Sequence, residues 1–484
     1  MSAFLKYKGN RLRSGFSLLW LAGFGMVPSS CVLNNVLESE PSEMVGELPS
    51  TWTGGSWHVP SSAVTGWIAD FQDPKLTTLV REAVDQNYSL ASASARVDQA
   101  AERAVITGAA RLPEINSQLQ TTRSQNLRGA QFQTVRANNF NFNLNLSWEV
   151  DVWGRVKNLR DAQLDQVTNQ ANLYEFARLS LAANVVKTAF DIVEAKLQID
   201  LSNRTLRSLN TNLDILDSKL EAGDADDRTA LEISLSRADI AGVRSNILAN
   251  RRQLDASKRT LETLLGRYPE GAIEGLTQLP TISRRVPVGL PSELLLRRPD
   301  LLAAEAEVDA ALKELAASRK ALLPSFRITG GGGTSTTDEF GDLFDIQNLV
   351  WNIGSNLARP LYQGGELRAQ IRLDEAARDE LAADYADTAL TAFREVETAL
   401  AAEQYFRGQV EALTVAVVEA RRAEDLSLDQ YEDGIVDIIT LLDSQRRAFN
   451  SQSSLLAIQL ELLSNRVDLY LALGGDFDHP VTEK

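Results

Sequence analysis

Residues able to do chemistry are few and widely separated in this chain of 484 residues. Its two histidines, His58 and His479, lie near opposite ends, and Cys31 is the only cysteine. A zinc site needs several such ligands, commonly a His pair one helical turn apart or a CxxC knuckle, and neither spacing occurs. The run Gly330 to Gly333 follows a strand-like segment, but it lacks the lysine of a phosphate-binding loop and opens no helix. Carboxylates are plentiful, yet no pair stands out as acid and base. The expectation is a protein that is not an enzyme and holds no metal or cofactor.

Cys31 has a different chemistry open to it. Lys6, Lys8, Arg11 and Arg13 precede an apolar stretch from Phe16 to Val27, which ends in the small residues Ser29 and Ser30. That is an export signal, too short to span a bilayer. One reading is cleavage near Ser30 to leave an ordinary terminus. The other is a bacterial lipoprotein in which Cys31 becomes the lipidated first residue, although Pro28 stands where Leu is usual. A lone thiol in an oxidising compartment favours the second. The formal charge is −16, falling to about −20 without the signal. No long basic run could neutralise phosphates, so nucleic acid is not an expected partner.

The elements that would position anything else repeat. The two halves align at a shift of 211 residues: Arg111-Leu112-Pro113 meets Leu322-Leu323-Pro324, Gly154 meets Gly365, and Gly223 meets Gly434. Leu264-Leu265-Gly266 meets Leu471 to Gly474 after a small slip. One shift serving several distinct motifs indicates a tandem duplication. Each half reads as helix, strand pair, very long helix and return helix. The expected division is a signal over 1–30, an extended segment over 31–80, repeats over 81–285 and 286–475, and a tail over 476–484.

Between Asn139 and Trp148, Phe140, Phe142, Leu144, Leu146 and Trp148 fall on one face and Asn or Ser on the other. Such alternation over about ten residues marks a transmembrane strand, apolar toward lipid and polar toward a lumen. Strands are expected at about 113–125, 138–150, 324–334 and 348–360, with polar loops at roughly Asn126 to Ala137 and Thr336 to Gln347. Trp148 suits the membrane interface. Four strands cannot close a barrel, so several chains must contribute. Long helices are expected at about 155–222, 226–265, 366–432 and 437–472. The first would be a rod of about 100 Å.

The chain resembles the TolC-like outer-membrane efflux proteins, in the OprM/NodT-like lipoprotein branch serving resistance-nodulation-division pumps. The resemblance rests on Ser147 through Val156 (SWEVDVWGRV), Arg297-Arg298-Pro299-Asp300-Leu301 and Arg359 through Gly365 (RPLYQGG). It continues through Gly434 and Leu442-Asp443-Ser444-Gln445-Arg446 to Leu473-Gly474-Gly475. It implies a mainly α fold with a transmembrane β-barrel portion. Three chains of four strands make a twelve-stranded barrel, continued by a periplasmic α-helical barrel. It further implies a homotrimer in the outer-membrane lipid, working with a periplasmic adaptor and an inner-membrane transporter.

By the same resemblance, Ile439 and Asp443 constrict the periplasmic mouth, an apolar ring excluding hydrated solutes and an acidic ring preferring cations. Tyr431 matches a latching tyrosine whose usual acidic partner falls at Thr229 here, with Asp226 and Asp227 close by. Gly223 and Gly434 mark the hairpin tips that meet the adaptor, and both also suit helix C-caps. Arg298-Pro299-Asp300 suits a helix start. The alternatives are an exit duct for secreted proteins, a coiled-coil adaptor without a pore, and a lipoprotein enzyme.

Overall fold

A computed structural model describes residues 49, 51–54, 66–128, 133–221, 229–282, 286, 291–337 and 339–475. The signal, Cys31, Gly223 and the 476–484 tail therefore lie outside the described residues.

Helix α1 (Pro74–Gln86) begins under the Asp73 carboxylate, which accepts from the Lys75 amide, with proline at the first helical position. It lies partly inside the segment expected to be extended. The cue was a single Asp-Pro pair, easily missed. Next come α2 (Tyr88–Ala109), β1 (Glu114–Arg128), β2 (Gln133–Val150), α3 (Arg155–Glu221) and α4 (Thr229–Leu264). After a short α5 (Pro291–Leu294) the order repeats as α6 (Pro299–Lys320), β3 (Ser325–Thr336), β4 (Leu349–Ala358), α7 (Glu366–Glu432) and α8 (Ile438–Ala472). Helices α2 and α6, and likewise α3 and α7, have equal lengths and start 211 residues apart. Gly154 and Gly365 both hold left-handed backbone, with φ of 74° and 90°, immediately before α3 and α7. Gly266 and Gly474 do the same just beyond α4 and α8, at φ 72° and 65°. The duplication is thus visible in the backbone.

Two apolar clusters hold the helices together. The larger joins the middle of α3 (Val186, Phe190, Val193) to α7 (Ala392, Val396) and the end of α8 (Val467, Tyr470). The N-terminal residues are strapped onto it. Trp52 packs on Phe393, and the Thr53 and Gly54 amides donate to the Glu397 carboxylate. Trp67 stacks on Tyr470 at 5.5 Å, and Phe71 meets Phe190 edge-on. Burying each such side chain contributes about 1.5–3 kcal/mol. The smaller cluster joins Leu209 and Leu216 of α3, Ile233 and Ile240 of α4, and Ile438 and Leu441 of α8.

The four strands form one antiparallel sheet in the order β1-β2-β3-β4. The first hairpin is longer than expected. Pairing runs out to Arg128↔Gln133, so most of Asn126 to Ala137 is strand rather than loop. Apolar residues are sparse there, with Leu127 on one face and Val135 and Ala137 on the other, so the alternation that marks a strand is lost although backbone pairing persists. The Gly330 to Gly333 run lies in β3. A Cβ on Gly333 would come within 1.9 Å of the Phe142 carbonyl oxygen, whereas one on Gly332 meets nothing closer than 3.9 Å. Gly333→Ala is therefore expected to lower the yield of heat-modifiable barrel on detergent gels, with Gly332→Ala close to wild type.

Candidate functional site

The sheet has two chemically distinct faces. Register places Leu146 opposite Ile115 and Gly330, Phe142 opposite Leu119, and Gly330 opposite Ile353. Phe140, Phe142, Leu144, Leu146 and Trp148 therefore share one face with Phe326, Ile328, Trp351 and Leu357. The other face carries Asn116, Gln118, Gln120, Asn141, Asn143, Asn145, Asn352 and Asn356. On the apolar face Phe142 and Leu144 are 41% and 47% exposed, and Trp351 and Ile353 more so. An exposed apolar band backed by amides is what a strand needs between lipid and water. The Trp148 indole N–H donates to the Arg111 carbonyl at 2.9 Å, which pins the strand base.

Below the sheet, the turn into α3 is tightly built. Asp151 accepts from the amides of Val156 (3.1 Å) and Lys157 (2.7 Å), supplying the first turn with acceptors. Glu149 pairs with Arg155 at 2.7 Å, and the Trp153 indole donates to the Pro324 carbonyl. Strand and helix are thereby fixed as one continuous wall. Among the described residues no helix is long and apolar enough to cross a membrane.

At the far end, α8 carries the residues expected at the mouth. Asp437 caps it by accepting from the Thr440 amide at 2.9 Å. Asn212 of α3 donates to Gln445, which in turn donates to Ser208, holding α8 against α3. Ile439 and Asp443 lie on the opposite, exposed side of α8. Asp443 is not a bare acid. One oxygen meets Arg446 at 3.2 Å and the other meets Arg447 at 2.7 Å. The hydrogen bond from Arg447, more than any other influence, holds this carboxyl below its ordinary range. Sequence reasoning took Arg446 only as part of the family motif and missed Arg447. Their spacing of three and four residues after the acid was the available signal.

Tyr431 is 7% exposed, and its hydroxyl has no hydrogen-bond partner among the described residues. Lys219 stands 4.8 Å from its ring centroid, a cation–π contact. Asp226 and Asp227 lie outside the described residues. Gly434, at φ 73°, closes α7: its amide reaches the Tyr431 carbonyl, and the Ile435 amide reaches the Gln430 carbonyl. That is a Schellman C-cap.

These features define a class: a channel protomer with lipid-facing strands continued by helices of about 100 Å. The family model for outer membrane efflux proteins matches residues 79–267 and 290–475. The chain belongs to this family and is an outer-membrane efflux channel. The pyoverdine export outer membrane protein OpmQ of Pseudomonas putida is 33% identical over 426 residues, 84% of this chain and 87% of its own length. The cation efflux system protein CusC of Escherichia coli K12 is 28% identical, covering 85% and 88% respectively. The open-state outer membrane channel MtrE of Neisseria gonorrhoeae superposes with a TM-score of 0.81 at 26% identity, over 90% of this chain and 97% of that one. The fold is TolC-like, and three copies of the four-stranded sheet supply the twelve strands of a closed barrel.

Proposed function

We propose that the trimer is a passive exit duct for small molecules. An inner-membrane transporter of the resistance-nodulation-division class would deliver them through a periplasmic adaptor that meets the hairpin tips at Gly223 and Gly434. Cys31 would carry a lipid that tethers the chain to the outer membrane. Ile439 and Asp443, with Tyr431 packed behind them, would form the periplasmic gate. The observation carrying this reading is the two-faced sheet running directly into α3 and α7 through the paired glycine turns at Gly154 and Gly365. It accounts for an outer-membrane element and a long conduit in one chain.

The test is single-channel conductance of the purified protein in planar bilayers, with its mass by light scattering. A trimer with small currents is expected. Ile439→Ala combined with Asp443→Ala should raise conductance several-fold by removing an apolar constriction and its polar neighbour. Unchanged conductance would remove these residues from the gate. Metabolic labelling with palmitate, abolished by Cys31→Ser, checks the lipid.

A further inference from the structure

We infer that Arg446 and Arg447 form a cationic collar at the periplasmic mouth, anchored by Asp443, which favours anionic, carboxylate-bearing solutes over cations. The inference rests on the reading above that this side of α8 lines the mouth.

Ile439, Asp443, Arg446 and Arg447 stand at positions i, i+4, i+7 and i+8 of one helix. At 100° per residue they occupy a single arc of about 100°. The buried residues Ile438, Leu441, Leu442, Gln445 and Ala448 lie on the other side. Whatever surface Ile439 presents, the two arginines present as well. Their side chains are 58% and 74% exposed, against 44% for Asp443.

Each chain sets one carboxylate against two guanidinium groups, so the group is net positive, and three chains triple it. At the α8 N-cap, Asp437 is tied to the Thr440 amide and hydroxyl, and Asp239 of α4 lines a groove with Arg446. After Arg447 the next charge on α8 is Glu461, about 21 Å further along the helix, well beyond the screening length of about 8 Å at physiological salt. The acid also keeps both arginines in place. Each spends part of its donor fork on Asp443 and leaves other N–H groups for an arriving oxyanion. A carboxylate meets two guanidiniums already positioned, while a cation meets an acid whose oxygens are both engaged.

The test uses full-length trimer in planar bilayers under a potassium chloride gradient. Because other fixed charges line the pore, the readout is the change in reversal potential between variants. Arg446→Gln with Arg447→Gln should shift selectivity several-fold toward potassium. Asp443→Asn should shift it toward chloride, and Arg446→Lys with Arg447→Lys should stay near wild type. Citrate added on the periplasmic side should block the wild type and not the double glutamine variant. The collar is overturned if removing the arginines leaves reversal potential and citrate block unchanged, or moves selectivity toward chloride. If no variant conducts, Ile439→Ala included, the mouth reading fails and the collar fails with it.

Discussion

Oxidation of a chain carrying Asn356→Cys together with Gln120→Cys is expected to produce covalent trimers, and the same chain with Gln118→Cys or Thr122→Cys in place of Gln120→Cys is not. Strands β1 and β4 are the edges of the sheet, and an unpaired edge cannot stand in lipid. The repeat dictates how they meet. Within one chain Glu114 pairs with Ser147 and Ser325 with Ala358, the same pair displaced by 211 residues. The contact between halves, β2 with β3, puts Asn145 opposite Gly331 and Leu146 opposite Gly330. Its counterpart, β4 with β1 of the next copy, then puts Asn356 opposite Gln120 and Leu357 opposite Leu119. Directly opposed residues lie about 4.5–5.5 Å apart, inside disulfide range, whereas a diagonal neighbour is about 7–8 Å away. Leu357→Cys with Leu119→Cys tests the same register on the lipid side. Non-reducing gels after boiling show the result, and efficient cross-linking only in a slipped pair would overturn the register.

Glu403→Ala is expected to destabilise the helical portion by about 3–5 kcal/mol, the cost of removing one partner of a buried, doubly hydrogen-bonded ion pair. Glu403 is 5% exposed and Arg466 only 2%. The Glu403 carboxylate takes both nitrogens of an Arg466 fork from α8, and also Arg407 at 2.9 and 3.0 Å from its own helix. Glu403→Gln keeps the shape and part of the hydrogen bonding, so it should lose less. Urea midpoints of trimer dissociation give the measurement. If Glu403→Ala matches wild type, the pair is dispensable. This site differs from surface pairs such as Arg204–Asp200, with both partners more than half exposed, where removal should cost under about 1 kcal/mol.

Much of this architecture was written in periodicity. Five apolar residues on alternate positions from Phe140 to Trp148 fix a strand and its lipid face. Gly154 and Gly365 place the starts of α3 and α7 to the residue because only glycine takes their left-handed backbone without strain. Strand length was less legible above Phe140. There neither face is apolar, and a ladder built from backbone bonds leaves no side-chain signature. The residues expected at the mouth were legible only through family resemblance, since a lone acid on a helix is ordinarily just solvated. The charges of the two arginines one turn further along the same side were left out of that reading. The strap from Trp52 to Gly54 was invisible for another reason. Its partners, Phe393 and Glu397, lie more than 340 residues away, and no local pattern encodes so distant a contact.

That distance has a consequence for the order of events during synthesis. Trp52 to Gly54 seat on α7, while Trp67 and Asp70 seat on Tyr470, some 400 residues downstream and near the end of α8. The part of the chain made and exported first can find its binding surface only after almost the last part arrives. Contacts of such long range form slowly. Until they do, the two tryptophans remain uncovered, and a chain cut short before α8 keeps Trp67 uncovered permanently. The strap can therefore close only over a protomer whose α7 and α8 are already in place.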